Sequence, residues 1–212
     1  MKSLVILFLD IFDFFYRLNF VNFFKKIKVN KFDIIFDVGA HKGESIVFFN
    51  KYFNVNKIIS FEPSPINFTK LEKFVKNKKF KSEVILENFG LGLREEKKQL
   101  NHAIESSSST FNEINYNSKY YNKKKNLLNF FSNKKYITKV EVNIINLKSY
   151  MINNKVDKVD LLKIDTEGFE FDVLSGLGDK IQQIKFIFFE HHYDDMYKKN
   201  YTYSDISKLL KN

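Results

Sequence analysis

The 212-residue chain contains no cysteine and no tryptophan, and only two prolines, seven glycines and four histidines. Without cysteine it forms no disulfide and offers no thiolate to a metal. That fits a reducing, cytoplasmic setting. Four histidines are too few for a histidine-rich centre, and no metal site is expected. Long apolar runs are also missing from the N-terminal region. The longest there, Leu4 to Leu9, ends at Asp10, far short of the roughly 18 residues of a membrane span. No small-residue cleavage site follows it, which argues against a signal peptide.

What the chain has in excess is positive charge, formally +10. Its lysines are scattered among many Asn, Ile and Phe residues, so charge alone gives little reason to expect a nucleic-acid partner. Local clusters occur at Lys73, Lys76, Lys78, Lys79 and Lys81, and at Lys123, Lys124 and Lys125. The abundant aromatics form no paired RNA-binding signature. The length suits one domain, expected at 31–212, behind an amphipathic helical segment at 1–30. In that segment Asp10, Asp13 and Arg17 recur at helical spacing and the rest is apolar. The apolar face is expected to pack on the domain; docking on a membrane or a partner is the competing reading.

From residue 31 onward strands and helices alternate. The pattern predicts a strand opening with Asp33 to Phe36, a helix over Gly43 to Phe53, a strand over Lys57 to Phe61 and a helix over Pro65 to Lys76. Ser64 caps that second helix and Pro65 occupies its first turn. A third strand is expected over Glu83 to Asn88. This order argues for an α/β fold of the Rossmann-like, doubly wound type with a mostly parallel sheet. A polar insertion follows near 93–135, with a strand at Lys98 to Ile104, a serine run at Ser106 to Ser109 and a lysine-rich stretch. Tyr136 to Leu147 reads as a strand. Regular order then returns: a strand over Val159 to Ile164, a helix over Phe169 to Leu177, a strand over Lys185 to Glu190 and a helix over Tyr203 to Lys211. No antiparallel strand pair is expected after that last helix.

Open α/β sheets bind ligands beyond the carboxyl ends of their strands, near the switch in strand order. Three acids fall at predicted strand ends: Asp37, Glu62 and Asp165. The turn after Asp37 carries Gly39 for a tight bend and Gly43 for close approach of the next helix. The spacing D-x-G-x-x-x-G is not the dinucleotide fingerprint, since His41 stands where a glycine would admit a pyrophosphate. Asp37 adds negative charge, which disfavours phosphate and favours a cationic ligand such as S-adenosylmethionine. Glu62, nineteen positions after Gly43, is placed to accept hydrogen bonds from two ribose hydroxyls. Pro63 and Pro65 stiffen the turn that presents it.

The segments "FDVGAHKGE", "FEPSP", "LGLREEKKQL", "SSSS" and "LLKIDTEGFEFDVLSGL" resemble, in that order, the FkbM family of S-adenosylmethionine-dependent methyltransferases, over roughly residues 30 to 195. The resemblance implies an O-methyltransferase acting on a hydroxyl of a carbohydrate or other small-molecule acceptor. It also implies that Asp37, Gly39, Ala40 and Gly43 line the methionine end of the cofactor, that Glu62 holds the ribose, and that Asn88 lies near the adenine.

Methylating a hydroxyl requires in-line placement and usually a base for the proton. Asp165, Glu167 and the adjacent His191 and His192 are the candidates: Asp165 for positioning, His191 or Glu167 as base. Glu167 and Glu170 can also be read as helix N-terminal charges. A divalent ion on Asp165, Glu190 and His191 is a weaker alternative on ligand count. The rival functions are a nucleic-acid methyltransferase of the same fold and a truncated, non-catalytic binding homologue. No Pro-Pro dipeptide is present, which disfavours the amino-methylating DNA enzymes and their [DNS]-P-P-[YFW] site. Asp37 and His41 disfavour a nicotinamide dehydrogenase.

Overall fold

A computed structural model of the chain describes residues 18–103, 109–119, 121–123, 137–191 and 195–211. Asp10, Asp13 and Arg17, Ser106 to Ser108, Lys124 and Lys125, and His192 fall outside the described residues.

Five parallel strands form the central sheet: β1 (Lys31–Val38), β2 (Asn54–Phe61), β3 (Glu83–Glu87), β8 (Val159–Ile164) and β9 (Ile184–Phe189), ordered β3-β2-β1-β8-β9. The order reverses between β1 and β8, so the chain has a doubly wound Rossmann-like sheet whose switch point lies at those two strands. Both faces are apolar because both are covered by helices. On one face lie α1 (residues 18–26), α2 (Glu44–Tyr52) and α3 (Pro65–Lys76), packed on Ile35, Ile58 and Leu161. On the other lie α4 (Leu147–Asn153), α5 (Glu170–Ser175) and α6 (Tyr203–Leu209), packed on Phe36, Ile59 and Leu162.

The described part of the N-terminal segment packs on the domain. In α1, Phe20 meets Phe188 at 4.7 Å and Phe24 meets Phe186 at 5.1 Å between ring centroids. These contacts cover the α1 side of β9, while Tyr203 of α6 stacks on Phe189 from the other face. Among the described strands β9 is an edge of the central sheet.

The insertion after β3 builds two small sheets. β4 (Gly90–Leu91), β7 (Ile137–Ile145) and β5 (Glu96–Ala103) form one, in the order β4-β7-β5. β6 (Glu113–Ile114) pairs with β10 (Tyr197–Lys198) in the other, antiparallel. Ile114, Tyr121, Met196 and Tyr197 make a separate apolar cluster there.

Two local features differ from the pattern-based expectation. The strand expected to run to Leu147 stops at Ile145, because the Asn146 side chain accepts a hydrogen bond from Ser149 N and caps α4. The strand expected from Lys57 begins at Asn54, where Val55 pairs with Phe32 of β1.

Candidate functional site

Strand register decides where the first acid points. Ser60, Asp37 and Lys163 are cross-strand neighbours on β2, β1 and β8. In a parallel sheet such a row projects from one face, here the face under α2. Asp37 is fully buried. Ser45 of α2 and Ser60 donate hydrogen bonds to its Oδ2, and Lys163 Nζ lies 3.2 Å from its Oδ1. Asp37 therefore faces an ammonium group. Lys163 also donates to the carbonyl of Gly39 at 3.0 Å and lies 3.5 Å from Asp165 Oδ2. Its pKa is raised: burial works against the charge, and the attraction of Asp37 and Asp165 outweighs it. One lysine thus ties the first turn and the acid at the end of β8 together across the switch point.

The turn after β1 is folded by its own backbone. Gly39 N and Ala40 N donate to the carbonyl of Phe61, at 3.0 and 3.1 Å. Gly39 has φ +77°, and a Cβ there would stand 1.9 Å from the Asp165 carbonyl oxygen, so only glycine fits. Gly43, with φ +95°, lets α2 start against Phe74 and Leu71 of α3. His41 between them holds φ +50°, a left-handed conformation that non-glycine residues adopt at a cost.

Glu62 sits one residue beyond β2 and is 5% exposed. Its Oε2 accepts His41 N at 2.8 Å and its Oε1 accepts Ser64 N at 2.9 Å. The Asn67 amide donates toward the same carboxylate. Burial pushes the Glu62 pKa up to about 7, against the lowering effect of these donors. Asn67 Oδ1 is buried and has no partner among the described residues. Asn88 Nδ2 donates to the Glu62 carbonyl at 2.8 Å and so braces the turn carrying the acid.

Glu44, at the start of α2, takes His41 Nδ1 and Lys42 N. Burial alone would raise its pKa, but the hydrogen bonds and charge of His41 and the backbone donors bring it down to about 2.

On the other side of the switch point, Asp165 N donates to the Val38 carbonyl at 3.0 Å, and the Asp165 side chain is partly exposed at the mouth. Glu167 and Gly168 are both left-handed, with φ +55° and +94°. Glu170, read as a helix N-terminal charge, opens α5 and is fully buried there as a clasp. Its Oε1 accepts Thr166 N, Thr166 Oγ1 and Gly168 N, and its Oε2 accepts the Tyr201 hydroxyl at 2.5 Å.

Elements of the insertion rest on the same loop. Thr110 Oγ1 donates to the Glu167 carbonyl at 2.7 Å and the Asn112 amide to the Gly168 carbonyl at 2.5 Å. The Tyr197 hydroxyl donates to Glu167 Oε2 at 2.7 Å. His191, just after β9, lies beside Tyr201 and Tyr203. Glu167 is thus joined to the insertion and β10, and His191 to the aromatic residues of the α6 end.

Several of these residues were not singled out in the sequence. Lys163 had a legible signal: a lone lysine inside an apolar strand, at the same strand position as Asp37. His102 had none. It is buried on β5, with its Nδ1 3.1 Å from Ser64 Oγ and 3.3 Å from Ser109 Oγ. It therefore joins the Glu62 turn to the described end of the serine run. Asn67 emerges only as a partner of Glu62.

A groove of about 510 Å3 opens elsewhere, lined in part by Ile34, Ile59, Ile85, Tyr150 and Asp160. It shares no residue with the turn at 39–44 or with Glu62. Among the described residues no group of three or more His, Cys, Asp or Glu is arranged to hold a metal ion. None of the described helices is long and apolar enough to cross a membrane.

Searches of curated proteins and of solved structures returned no match. The methyltransferase FkbM domain matches residues 37–212. That range begins at the acid ending β1 and takes in Glu62, Lys163 and Asp165, so the chain belongs to the FkbM methyltransferase family.

Proposed function

We propose that this chain is an S-adenosylmethionine-dependent O-methyltransferase acting on a hydroxyl of a carbohydrate or other small-molecule acceptor. The observation that carries the reading is Glu62: a buried carboxylate at a strand end, clasped by the glycine turn of the neighbouring strand. Backbone donors from His41 and Ser64 take one position on each of its oxygens. A carboxylate accepts about four hydrogen bonds, and with the Asn67 donor one position is left. Asn67 Oδ1 supplies a second vacant acceptor beside it. Two acceptors for two hydroxyl donors suit the ribose of an adenosyl group, and the residues present fit the cofactor.

In this reading Glu62 and Asn67 hold the ribose, and the 39–43 turn, with Gly39, Ala40 and Gly43, receives the methionine end. Asn88 acts by fixing the Glu62 turn. When bound, the cofactor supplies a sulfonium methyl group as electrophile. Asp165, tied to Lys163 and therefore fixed in direction, positions the acceptor hydroxyl. Glu167 or His191 takes the proton released as the oxygen is methylated. The insertion that rests on Glu167 and Gly168 supplies acceptor contacts. A cytoplasmic setting belongs to the reading and agrees with a chain that has no cysteine.

Calorimetric titration with S-adenosylhomocysteine tests the cofactor assignment. The wild-type chain should bind, and Glu62→Ala should weaken binding by about 2 kcal/mol or more, the cost of leaving buried donors unpaired. Unchanged affinity in the variant would remove Glu62 from the site. No binding by a folded wild-type chain would favour a non-catalytic homologue. Acceptor screening with labelled cofactor then tests the hydroxyl.

A further inference from the structure

In a parallel sheet with helical crossovers, every helix returns the chain to the same pole, where the strands begin. In this chain that pole carries nearly all the excess charge. The last turn of each of α1 to α5, together with the loop into the next strand, comprises residues 23–30, 49–53, 73–82, 150–158 and 172–183. These five segments hold twelve lysines and three aspartates. The rest of the chain is close to balanced, with 23 basic and 22 acidic residues. An even spread of the 35 basic and 25 acidic residues would put about seven and about five in these segments.

Favourable interaction with helix dipoles accounts for part of it. Lys25, Lys26, Lys51, Lys73 and Lys76 lie in final helical turns, where a cation is favoured. Of the other seven, Lys180 lies in a short 3-10 helix over Gly178–Gln183, and six lie in the loops, where that effect fades. Eleven of the twelve are exposed, and none is ion-paired among the described residues. Five strands spaced about 4.8 Å apart make the pole roughly 20 Å wide, so the charges act as one patch.

Exposed apolar side chains stand in the same segments. Phe23 is 52% exposed and Ile27 41%, one helical turn apart and interleaved with Lys25, Lys26 and Lys28. Ile152, 53% exposed, ends α4 on the opposite face of the sheet. Lysines around protruding apolar side chains suit the headgroup region of a bilayer, where the charges meet anionic lipids and the apolar groups enter the acyl boundary. A nucleic-acid surface would use the charges but give Phe23 and Ile27 no comparable place.

We propose that the strand-N-terminal pole is a docking surface for an anionic membrane leaflet. The docked orientation points the carboxyl ends of the strands, with Glu62 and Asp165, away from the bilayer. The enzyme would then act on acceptors reached from the aqueous side while held at the membrane.

Co-sedimentation of the full chain with phosphatidylserine–phosphatidylcholine vesicles, and with pure phosphatidylcholine vesicles, tests this. Wild type should bind the anionic vesicles and lose binding as salt is raised. The variant K76E/K78E/K79E/K81E should bind at least about a hundredfold more weakly. The variant K97E/K119E/K139E/K198E changes net charge equally but away from the pole, and should bind nearly as wild type. F23S/I27S should weaken vesicle binding while leaving any binding to a short DNA duplex unchanged. Circular dichroism melting confirms that each variant is folded. Equal losses in the two lysine variants would mean that net charge, not this pole, drives binding and would overturn the proposal. So would wild-type chain that ignores anionic vesicles, or that binds the duplex in preference to them.

Discussion

Glu62 gives the site a pH dependence whose two arms run in opposite directions. Its pKa rises from 4.5 to about 7 because burial removes water that the backbone donors only partly replace. The folded chain therefore holds this proton more tightly than the unfolded chain. As an acid whose folded pKa is raised, Glu62 favours the fold below pH 4.5, and that contribution is lost as pH rises from there to about 7. A shift of that size corresponds to about 3 kcal/mol at most. Ligand binding should behave oppositely. Protonation would take up the one acceptor position that Glu62 has left for a hydroxyl donor, so affinity for S-adenosylhomocysteine should rise with pH. With a pKa near 7, about a tenth of the chains carry the ionised form at pH ~6 and about nine-tenths at pH ~8. The apparent Kd should fall about tenfold over that interval, close to 1.4 kcal/mol. Calorimetry across the range, paired with urea unfolding of the free protein, measures both arms. Glu62→Gln should bind weakly at every pH and lose both slopes. The wild-type-minus-variant difference is the quantity that counts, because it isolates the contribution of Glu62. If Glu62→Gln retains the wild-type slope, the titrating group is elsewhere and the account of a desolvated ribose acceptor fails.

Gly39→Ala should destabilise the fold by about 3 kcal/mol or more, since the new Cβ would meet the Asp165 carbonyl oxygen at 1.9 Å while φ stays at +77°; a thermal melt within a few degrees of wild type would contradict the close approach. Lys163→Met should cost about 3–5 kcal/mol by stranding the buried Asp37 carboxylate, and Asp37→Asn in the same chain should recover most of it. Urea titration of the two single variants and the double variant reads that coupling; additive losses would mean that the pair does not act as one unit. Phe20→Ala should cost about 3 kcal/mol, because the ring packs on Phe188, Phe24 and Phe48. A loss below about 1 kcal/mol would show that α1 is not part of the cooperative fold.

Much of the frame is legible in the chain because its signals are local. The α3 helix from Pro65 to Lys76 follows from Ser64 and Pro65 at its start, and β8 from the apolar run Val159 to Ile164. Glu62 is legible as an acid between a β-strand and two prolines. What escapes a reading of the sequence depends on partners distant along the chain. β6 and β10 are two residues long and exist only through pairing across more than eighty positions. The link from His102 to Ser64 depends on how β5 folds back over the sheet. α4 is hidden because its apolar residues follow a strand without a break, and only the Asn146 cap separates them. The clasp made by Glu170 depends on Tyr201, thirty-one residues away.

The proposed preference for a ligand without phosphate rests, in the fold, on a different physical basis from the one the sequence suggests. Read along the chain, Asp37 repels phosphate by its charge. In the fold that charge is opposed by Lys163 at 3.2 Å and enclosed by Ser45 and Ser60, so it contributes little repulsion at the mouth. A phosphate site at the end of such a strand instead needs free backbone N–H groups where the helix begins. Here Gly39 N and Ala40 N are given to the Phe61 carbonyl, His41 N to Glu62, Lys42 N to Glu44 and Gly43 N to the Ala40 carbonyl. Two of the five donors already hold carboxylates, and a phosphate would have to displace them. The turn that binds pyrophosphate in dinucleotide folds is occupied by the protein's own acids. Glu62 is one of them, and its hold on His41 N is part of what would keep its remaining lone pair aimed at a neutral hydrogen-bond donor.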